Sequence, residues 1–523
     1  MIVSRCGASI IFTWPRRDLA ISQAHSRQLQ AKPLSTERIP YKRVVATVFV
    51  IGMFMDIMDT TVINTALPTL AREFNAPRTT IEWVSLGYLL SLAVWIPASG
   101  WLGDRFGTKR VFLLALGLFT IGSALCGLSR SIGELVAFRI LQGVGGGMLT
   151  PVGTAMLFRA YPPRERAKAS AVLMIPAVLA PALGPIVGGW LVTNASWRWI
   201  FTINVPFGIL GLLFGGFFLH EYTEGTAGRF DGAGFVLSAT GLSTALYALT
   251  QAPDHGWTSP AVLLPGALGV SLLAVLVYVE THIDDPMLAF RLLRERMFRN
   301  ANIVLFLTYS SFAGLLFLLP LFLQTLRGLD AFESGLTTFP QALGVIVSGQ
   351  FVGRLYPRTG PRRLIIGGMT GMLLATLVLV TIDLDTSLWT IREIMFVRGI
   401  FMAFAFVPLQ AATYANVSAQ DTGRASAIFS TQRQVAAALG VAVLATVWIS
   451  RTDALTAGVT DPAAAARQAV AGFHAAYIVG AGMIAAAVAA GFLIRDSDAA
   501  ASMRETEPRQ HPEAPEPETP EAR

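Results

Sequence analysis

Gly100–Arg110 reads GWLGDRFGTKR and lies between two long apolar runs, packing turn formers and charges into one short stretch. Gly100 and Gly103 remove side chains where two helices must approach as the chain turns. Asp104 is placed to accept hydrogen bonds from backbone N–H groups at a nearby helix start. Gly107 suits a left-handed turn that a residue with a Cβ resists. Arg105, Lys109 and Arg110 put positive charge at one face of a membrane, which an ordinary loop also does.

The rest of the chain fits a membrane setting. Its 523 residues are 53% hydrophobic and 14% charged, with a mean hydropathy of +0.56. Soluble domains carry about 25% charged residues, so too few are present to coat a globular surface. Apolar runs predict fourteen spans at about 44–68, 81–101, 111–129, 134–158, 167–192, 199–219, 232–252, 260–280, 300–324, 334–355, 364–382, 389–412, 425–449 and 472–494. An even number puts both termini on one side. Counted that way, the loops on the side of the termini hold about seventeen Arg and Lys against about seven on the other side. The net charge of +7 is therefore read as orientation, with both termini cytoplasmic. No basic stripe with interleaved aromatics suggests nucleic acid.

Residues 1–43 form a basic tail with too short an apolar patch for a secretory signal. Residues 496–523 are rich in Pro, Glu and Ala and are expected to be disordered. Cys6 and Cys126 sit in unlike surroundings, so no structural disulfide is expected.

The opening loop has an internal echo. Gly349–Arg363, GQFVGRLYPRTGPRR, keeps Arg354, Arg358, Gly360, Arg362 and Arg363 but has lost the acidic residue. Two spaced copies suggest a duplicated unit: a six-helix half over 44–220, two extra helices within 221–296, and a second half over 297–495.

Ionisable residues inside spans cost about 2.5–3.5 kcal/mol each on insertion scales, so each calls for a reason. Asp56 and Asp59 stand at i and i+3 on the first span, on neighbouring sides of one face, and Thr60 extends it. Each acid is either a proton carrier with a desolvated carboxyl group or a satisfied carboxylate held by Arg or backbone. Arg139, Gln142 and Gly143 share a face of the fourth span, and an intramembrane Arg must face the interior and find acceptors. Gly184-Pro185-Ile-Val-Gly188-Gly189 on the fifth span combines a kink with close-packing glycines. Arg398 and Arg433 are buried cations of the second half; Ser426, Ser430 and Arg433 line one face. They either hold acids of the opposite half or pack polar helices together. Trp197–Phe201 reads first as an interfacial aromatic belt. No Walker sequence, zinc cluster or nucleophile–base pair is visible, so no enzyme chemistry, cofactor or metal is expected.

GWLGDRFGTKR resembles the loop signature G-x-L-x-D-R-x-G-x-K/R-K/R of the major facilitator superfamily, and every defined position is met. Met58–Pro68, MDTTVINTALP, resembles the first-span signature of its fourteen-span drug:proton antiporters, matching at Asp59, Thr61, Val62, Asn64, Ala66, Leu67 and Pro68. Arg139-Ile-Leu-Gln142-Gly143 resembles the fourth-span R-x-x-Q-G motif linked to proton transfer. Gly184–Gly189 resembles the fifth-span antiporter motif, with Ala171 and Ala180 where two upstream glycines stand in the family. The W-R-W-I-F…N-x-P string at 197–206 also recurs in that branch.

The resemblance implies an all-α membrane fold of two six-helix halves plus two central helices. It implies proton-coupled export of hydrophobic or cationic small molecules across the cytoplasmic membrane by alternating access, driven by the proton gradient without a cofactor. Asp59, Asp56 and Arg139 would couple protons; Gly100, Asp104, Arg105, Gly107, Lys109 and Arg110 would form the gating loop. Tyr88, Trp95, Met148, Met174, Tyr309 and Arg433 are candidate cavity residues. The transport unit would be a monomer in the lipid bilayer, joined by a periplasmic adaptor protein if the cell is Gram-negative. The rival within transporters is a narrow exporter of one metabolite, such as a siderophore or antibiotic. The rival outside them is a non-transporting sensor or scaffold.

Overall fold

The computed structural model describes residues 40–223 and 228–503. Residues 1–39 of the expected basic tail, Cys6 among them, and 504–523 of the acidic tail lie outside the described residues. Among the described residues all regular structure is helical.

The first six helices are α1 (Tyr41–Glu73), α2 (Arg78–Phe106), α3 (Thr108–Leu128), α4 (Ile132–Ala160), α5 (Arg166–Asn194) and α6 (Arg198–Phe218). Then come α7 (Gly232–His255) and α8 (Pro260–Glu280). The last six are α9 (Arg296–Thr325), α10 (Pro340–Thr359), α11 (Pro361–Leu379), α12 (Leu388–Thr413), α13 (Thr422–Thr456) and α14 (Pro462–Gly491).

Thirteen of the described helices are long and apolar enough to cross a membrane. The expected tenth span, 334–355, is the departure. It is helical but divided at Phe339 into Ala331–Thr338 and α10. Pro340 has no N–H to continue a helix and sits in the first turn of α10, where none is needed. Gln341, Ser348, Gln350 and Arg354 keep α10 polar for a span.

Helix starts follow side-chain capping. Ser131 accepts from Glu134 N at 3.2 Å, Asp231 from Gly234 N at 2.8 Å and Asp330 from Glu333 N at 2.7 Å. Each satisfies an N–H that the helix leaves without an internal partner.

The packing repeats with an offset of eight helices. α1 lies on α4, α5 and α6, as α9 lies on α12, α13 and α14. α2 on α4 and α3 on α6 are matched by α10 on α12 and α11 on α14. The two sets meet through α5 against α10 and α12, and through α13 against α2 and α4. α7 touches both α2 and α13, while α8 packs chiefly on α7. The outer face of α8 presents Leu264, Val270 and Tyr278, each about two-thirds or more exposed, as a lipid-facing helix does.

Both loop copies are built alike at their glycines. Gly107 has φ +97° and Gly360 has φ +77°. Glu221, just after α6, reaches back to accept from Lys109 N (3.0 Å) and Arg110 N (3.2 Å) at the start of α3. Asp496, just after α14, accepts from Arg362 N at 2.9 Å at the start of α11. A Cβ on Gly107 would lie 2.2 Å from Glu221 Oε1, and one on Gly360 2.5 Å from Asp496 Oδ1. The expectation of disorder from 496 onward therefore fails for its first residues. Asp496–Ala499 and Ala500–Met503 are helical turns, and Ser502 shares a 2.8 Å hydrogen bond with the buried Tyr356 hydroxyl. The acidic composition hid a capping residue.

Candidate functional site

A cavity of about 810 Å³ is walled by α1, α5, α9 and α13, with residues of α2, α10 and Ala331–Thr338. Its lining runs from Asp56 to Pro68 on α1, from Ala177 to Thr193 on α5 and from Tyr309 to Gln324 on α9. The cavity thus occupies mid-helix and the C-terminal portions of all three. Gly184 and Gly188 let α5 lie against α1: a Cβ there would come within 2.2 Å of Thr61 Oγ1 and 2.4 Å of Thr65 Oγ1. Pro185 and Gly189 line the cavity.

Asp56 and Arg433 are the charged residues among those lining it. The Asp56 carboxylate accepts the Tyr88 hydroxyl on Oδ1 at 2.6 Å and the Thr150 hydroxyl on Oδ2 at 3.2 Å. Gly146 makes the room, since a Cβ there would lie 2.9 Å from Asp56 Oδ1.

Asp59 goes elsewhere. It is 1% exposed, absent from the cavity lining, and ion-paired with Arg139, which is fully buried. Gln142 Nε2 donates to Asp59 Oδ1 at 2.9 Å, and Asn204 Nδ2 donates to the same oxygen at 3.2 Å. Arg139 Nε donates to Val84 O at 3.0 Å, and its Nη1 also reaches Gln142 Oε1 at 2.8 Å. The Tyr88 ring lies 4.1 Å from the Arg139 guanidinium carbon. A buried pair is tolerable only when its remaining donors and acceptors are met, as here; removing one partner typically costs about 3–5 kcal/mol. One tyrosine therefore touches both groups: its hydroxyl holds the cavity acid and its ring covers the buried arginine.

The other end of the bundle is closed. Arg159 Nη2 pairs with Asp104 Oδ1 at 2.9 Å, and Arg159 Nε donates to Ala419 O at 3.1 Å. Arg166 donates to Tyr414 O, and Ser426 Oγ donates to Pro151 O at 2.6 Å. The Phe158 and Tyr414 rings stack at 4.2 Å. The Asp104 carboxylate faces Gly423 in the first turn of α13, where a Cβ would lie 3.0 Å from Oδ1. A Cβ on Gly100 would lie 2.9 Å from Gly423 O. Arg105 and Arg110 are exposed, and Lys109 Nζ donates to Gly216 O at 2.8 Å.

The remaining candidates divide. Tyr309 and Arg433 line the cavity. Tyr88, Met148 and Met174 are buried in the core, and half-buried Trp95 packs on Phe235 of α7 with ring centroids 5.7 Å apart. Arg398 is 1% exposed and donates to Gln341 Oε1 at 2.6 Å. Ser426 spans the two helix sets, and Ser430 is buried without a hydrogen-bond partner. Cys126 is a buried free thiol. The belt reading of Trp197 is corrected: it is 2% exposed and donates to Glu73 Oε2 at 2.6 Å, tying α6 to the end of α1, while Trp199 is the exposed one. Four contributors carry no sequence signal as site residues, Thr150, Arg159, Glu221 and Gln341, and Asn204 is read only as part of a string and not as a partner of Asp59. Asn204 had a signal, since it stands in the N-x-P of the string after the fifth span.

The sequence profile of the Major Facilitator Superfamily matches residues 49–441. The chain belongs to this superfamily. It is 31% identical over 406 residues to the uncharacterized MFS-type transporter YhcA of Bacillus subtilis, covering 77% of this chain and 76% of that one. It is 32% identical over 406 residues to a multidrug resistance protein B homolog of Mycobacterium tuberculosis, covering 76% and 75%. It is 34% identical over 397 residues to the putative multidrug resistance protein MdtD of Pectobacterium carotovorum, covering 75% and 84%. Among solved structures it resembles the human organic anion transporter MFSD10, with a TM-score of 0.61 at 18% identity over 87% of this chain and 100% of that one. It also resembles the proton:xylose symporter XylE, with a TM-score of 0.55 at 17% identity over 86% and 94%. Family and fold make this a multi-pass membrane transporter of the superfamily, with multidrug-type relatives, rather than an enzyme.

Proposed function

We propose that this superfamily member exports small molecules across the cytoplasmic membrane in exchange for protons. The observation that carries the reading is the pair of acids on α1: Asp56 on the cavity wall and Asp59 locked to Arg139 beside it, bridged by Tyr88. The reading takes 44–220 and 297–495 as two rocking halves, with both termini cytoplasmic and one monomer as the transport unit. The closed Gly107 end is then the cytoplasmic end, and the cavity faces outward.

In this scheme Asp59 takes up the proton. Neutralising it removes the charge that holds Arg139 and frees the guanidinium to find new acceptors. Tyr88 passes that change to Asp56, because moving the ring off Arg139 moves its hydroxyl. Cargo and proton then favour different states, which couples opposite flows. The cavity sets an apolar α9 face against polar side chains such as Thr61, Asn64 and Gln434, which supports cargo with both apolar and polar parts.

The test is efflux from proteoliposomes under an imposed pH gradient. Wild type should respond to the gradient, and Asp59→Asn, which cannot release a proton, should lose gradient-driven movement while staying folded. Asp59→Glu should keep part of the activity. Wild-type efflux that ignores the gradient rejects proton coupling. Gradient-driven efflux surviving in Asp59→Asn moves the carrier to Asp56.

A further inference from the structure

Arg433 faces the cavity, and among the described residues no anion is in direct contact with it. Among the described residues no hydrogen bond or ion pair reaches its guanidinium, and the Tyr309 ring lies 5.8 Å from the guanidinium carbon to the ring centre. The cavity acid acts on it only through space: Asp56 holds two hydroxyls, from Tyr88 and Thr150, and forms no hydrogen bond or ion pair with Arg433. The same wall carries a second cation behind it. Gln341 lines the cavity and accepts from Arg398, whose Nε and Nη2 are buried without acceptors. The α13 side thus brings one arginine and no acid to the cavity, with Arg398 behind Gln341, whereas the α1 side brings one acid that already holds two hydroxyls.

A cation held in a largely apolar membrane cavity is costly until it meets a counter-charge. A guanidinium offers donors in a planar fork that fits a carboxylate or phosphate edge. Apolar surface lies within reach of that fork, from Tyr309, Phe312, Leu316 and Phe317 of α9.

We propose that the cavity takes amphipathic organic anions, with the acidic headgroup on Arg433 and the apolar body on the α9 face. This rests on the cavity being the transport site, and it names a cargo class that differs from the lipophilic cations a lone cavity acid would suggest.

The test pairs two probes that differ only in charge, pyrenebutyrate and pyrenebutylamine. Binding is measured by fluorescence on the full chain in nanodiscs, against empty discs, and movement in proteoliposomes under a pH gradient. Wild type should bind the carboxylate at least about tenfold more tightly than the amine. Arg433→Gln should lose that preference through the carboxylate alone, and Arg433→Lys should keep part of it, since it retains the charge but not the fork. Wild-type preference for the amine overturns the proposal, as does an equal loss of both probes in Arg433→Gln, which would mark a structural residue. If Arg433→Gln fails to reach the membrane, the wild-type preference still decides. Carboxylate binding with neither probe moved upholds the anion site and removes the export reading. Gradient-driven movement of the amine alone does the reverse.

Discussion

The loop at Gly107 and its echo at Gly360 share a frame and differ in what is mounted on it. In both, a positive-φ glycine ends one helix, and an acid from the far end of the same helix set caps the next: Glu221 for the first loop, Asp496 for the second. Aligning the two glycines sets Asp104 against Pro357 and Gly100 against Gly353. Gly100 is pressed on Gly423, whereas a Cβ on Gly353 would sit at an ordinary 3.7 Å from Ala167 O. Asp104 is ion-paired across to Arg159, while Pro357 carries no charge to pair. What is duplicated therefore holds each helix set together, and what is unique to the first loop fastens α2 to α13 across them.

Topology gives the largest test of this comparison. Reporter fusions after Arg110 and after Arg363 should both read cytoplasm, and one after Asp254 should read outside. Opposite signals from the first two would break the equivalence of the loops.

Next comes the close approach at Gly100. Gly100→Val should obstruct the closed end, an overpacking of about 1–3 kcal/mol felt only when α2 meets α13. Transport should fall roughly 5- to 150-fold at normal membrane level. Gly353→Ala should stay near wild type. Equal losses would show that the two glycine contacts do the same work.

A smaller change is expected at the ion pair. Asp104→Asn should reduce transport several-fold without lowering expression, because a cross-helix charge biases a two-state balance more than it holds a bundle. Arg159→Gln should match it, and the double variant should be no worse than either alone. Poor expression with normal specific activity would make the loop purely structural.

The caps should give the smallest effect. Glu221→Gln and Asp496→Asn each weaken an N-terminal cap worth about 0.5–2 kcal/mol. Each should lower Tm in detergent by about 1–3 °C, and by similar amounts. A large drop for one alone would mean that the shared frame is not shared.

These differences bear on how much the sequence could tell. Thirteen of the fourteen spans, the positive-φ glycine at 107 and the inward-facing Arg139 are local patterns of period or turn chemistry, and the structure places them as read. The partners that give them meaning are far away in sequence. Glu221 is 112 residues from Lys109, Asn204 is 145 from Asp59, and Arg159 is 55 from Asp104. A capping acid in a polar segment looks like any solvated charge, so by composition Asp496 belongs with the tail. Asp56 and Asp59 share a helical face by spacing, yet one helix position decides that Asp56 meets the cavity and Asp59 meets Arg139. The break at Pro340 was masked because the apolar run continues through it.

The closed end also has a genetic consequence. Its contacts from Arg159, Arg166 and Ser426 land on main-chain oxygens, those of Ala419, Tyr414 and Pro151. A main-chain oxygen survives any substitution that keeps the backbone path. At Ala419 and Pro151 the side chain can therefore change without losing the bond, whereas Tyr414 also stacks its ring on Phe158. These three bonds are robust at their acceptors and fragile at their donors, so substitutions that break them fall on Arg159, Arg166 and Ser426.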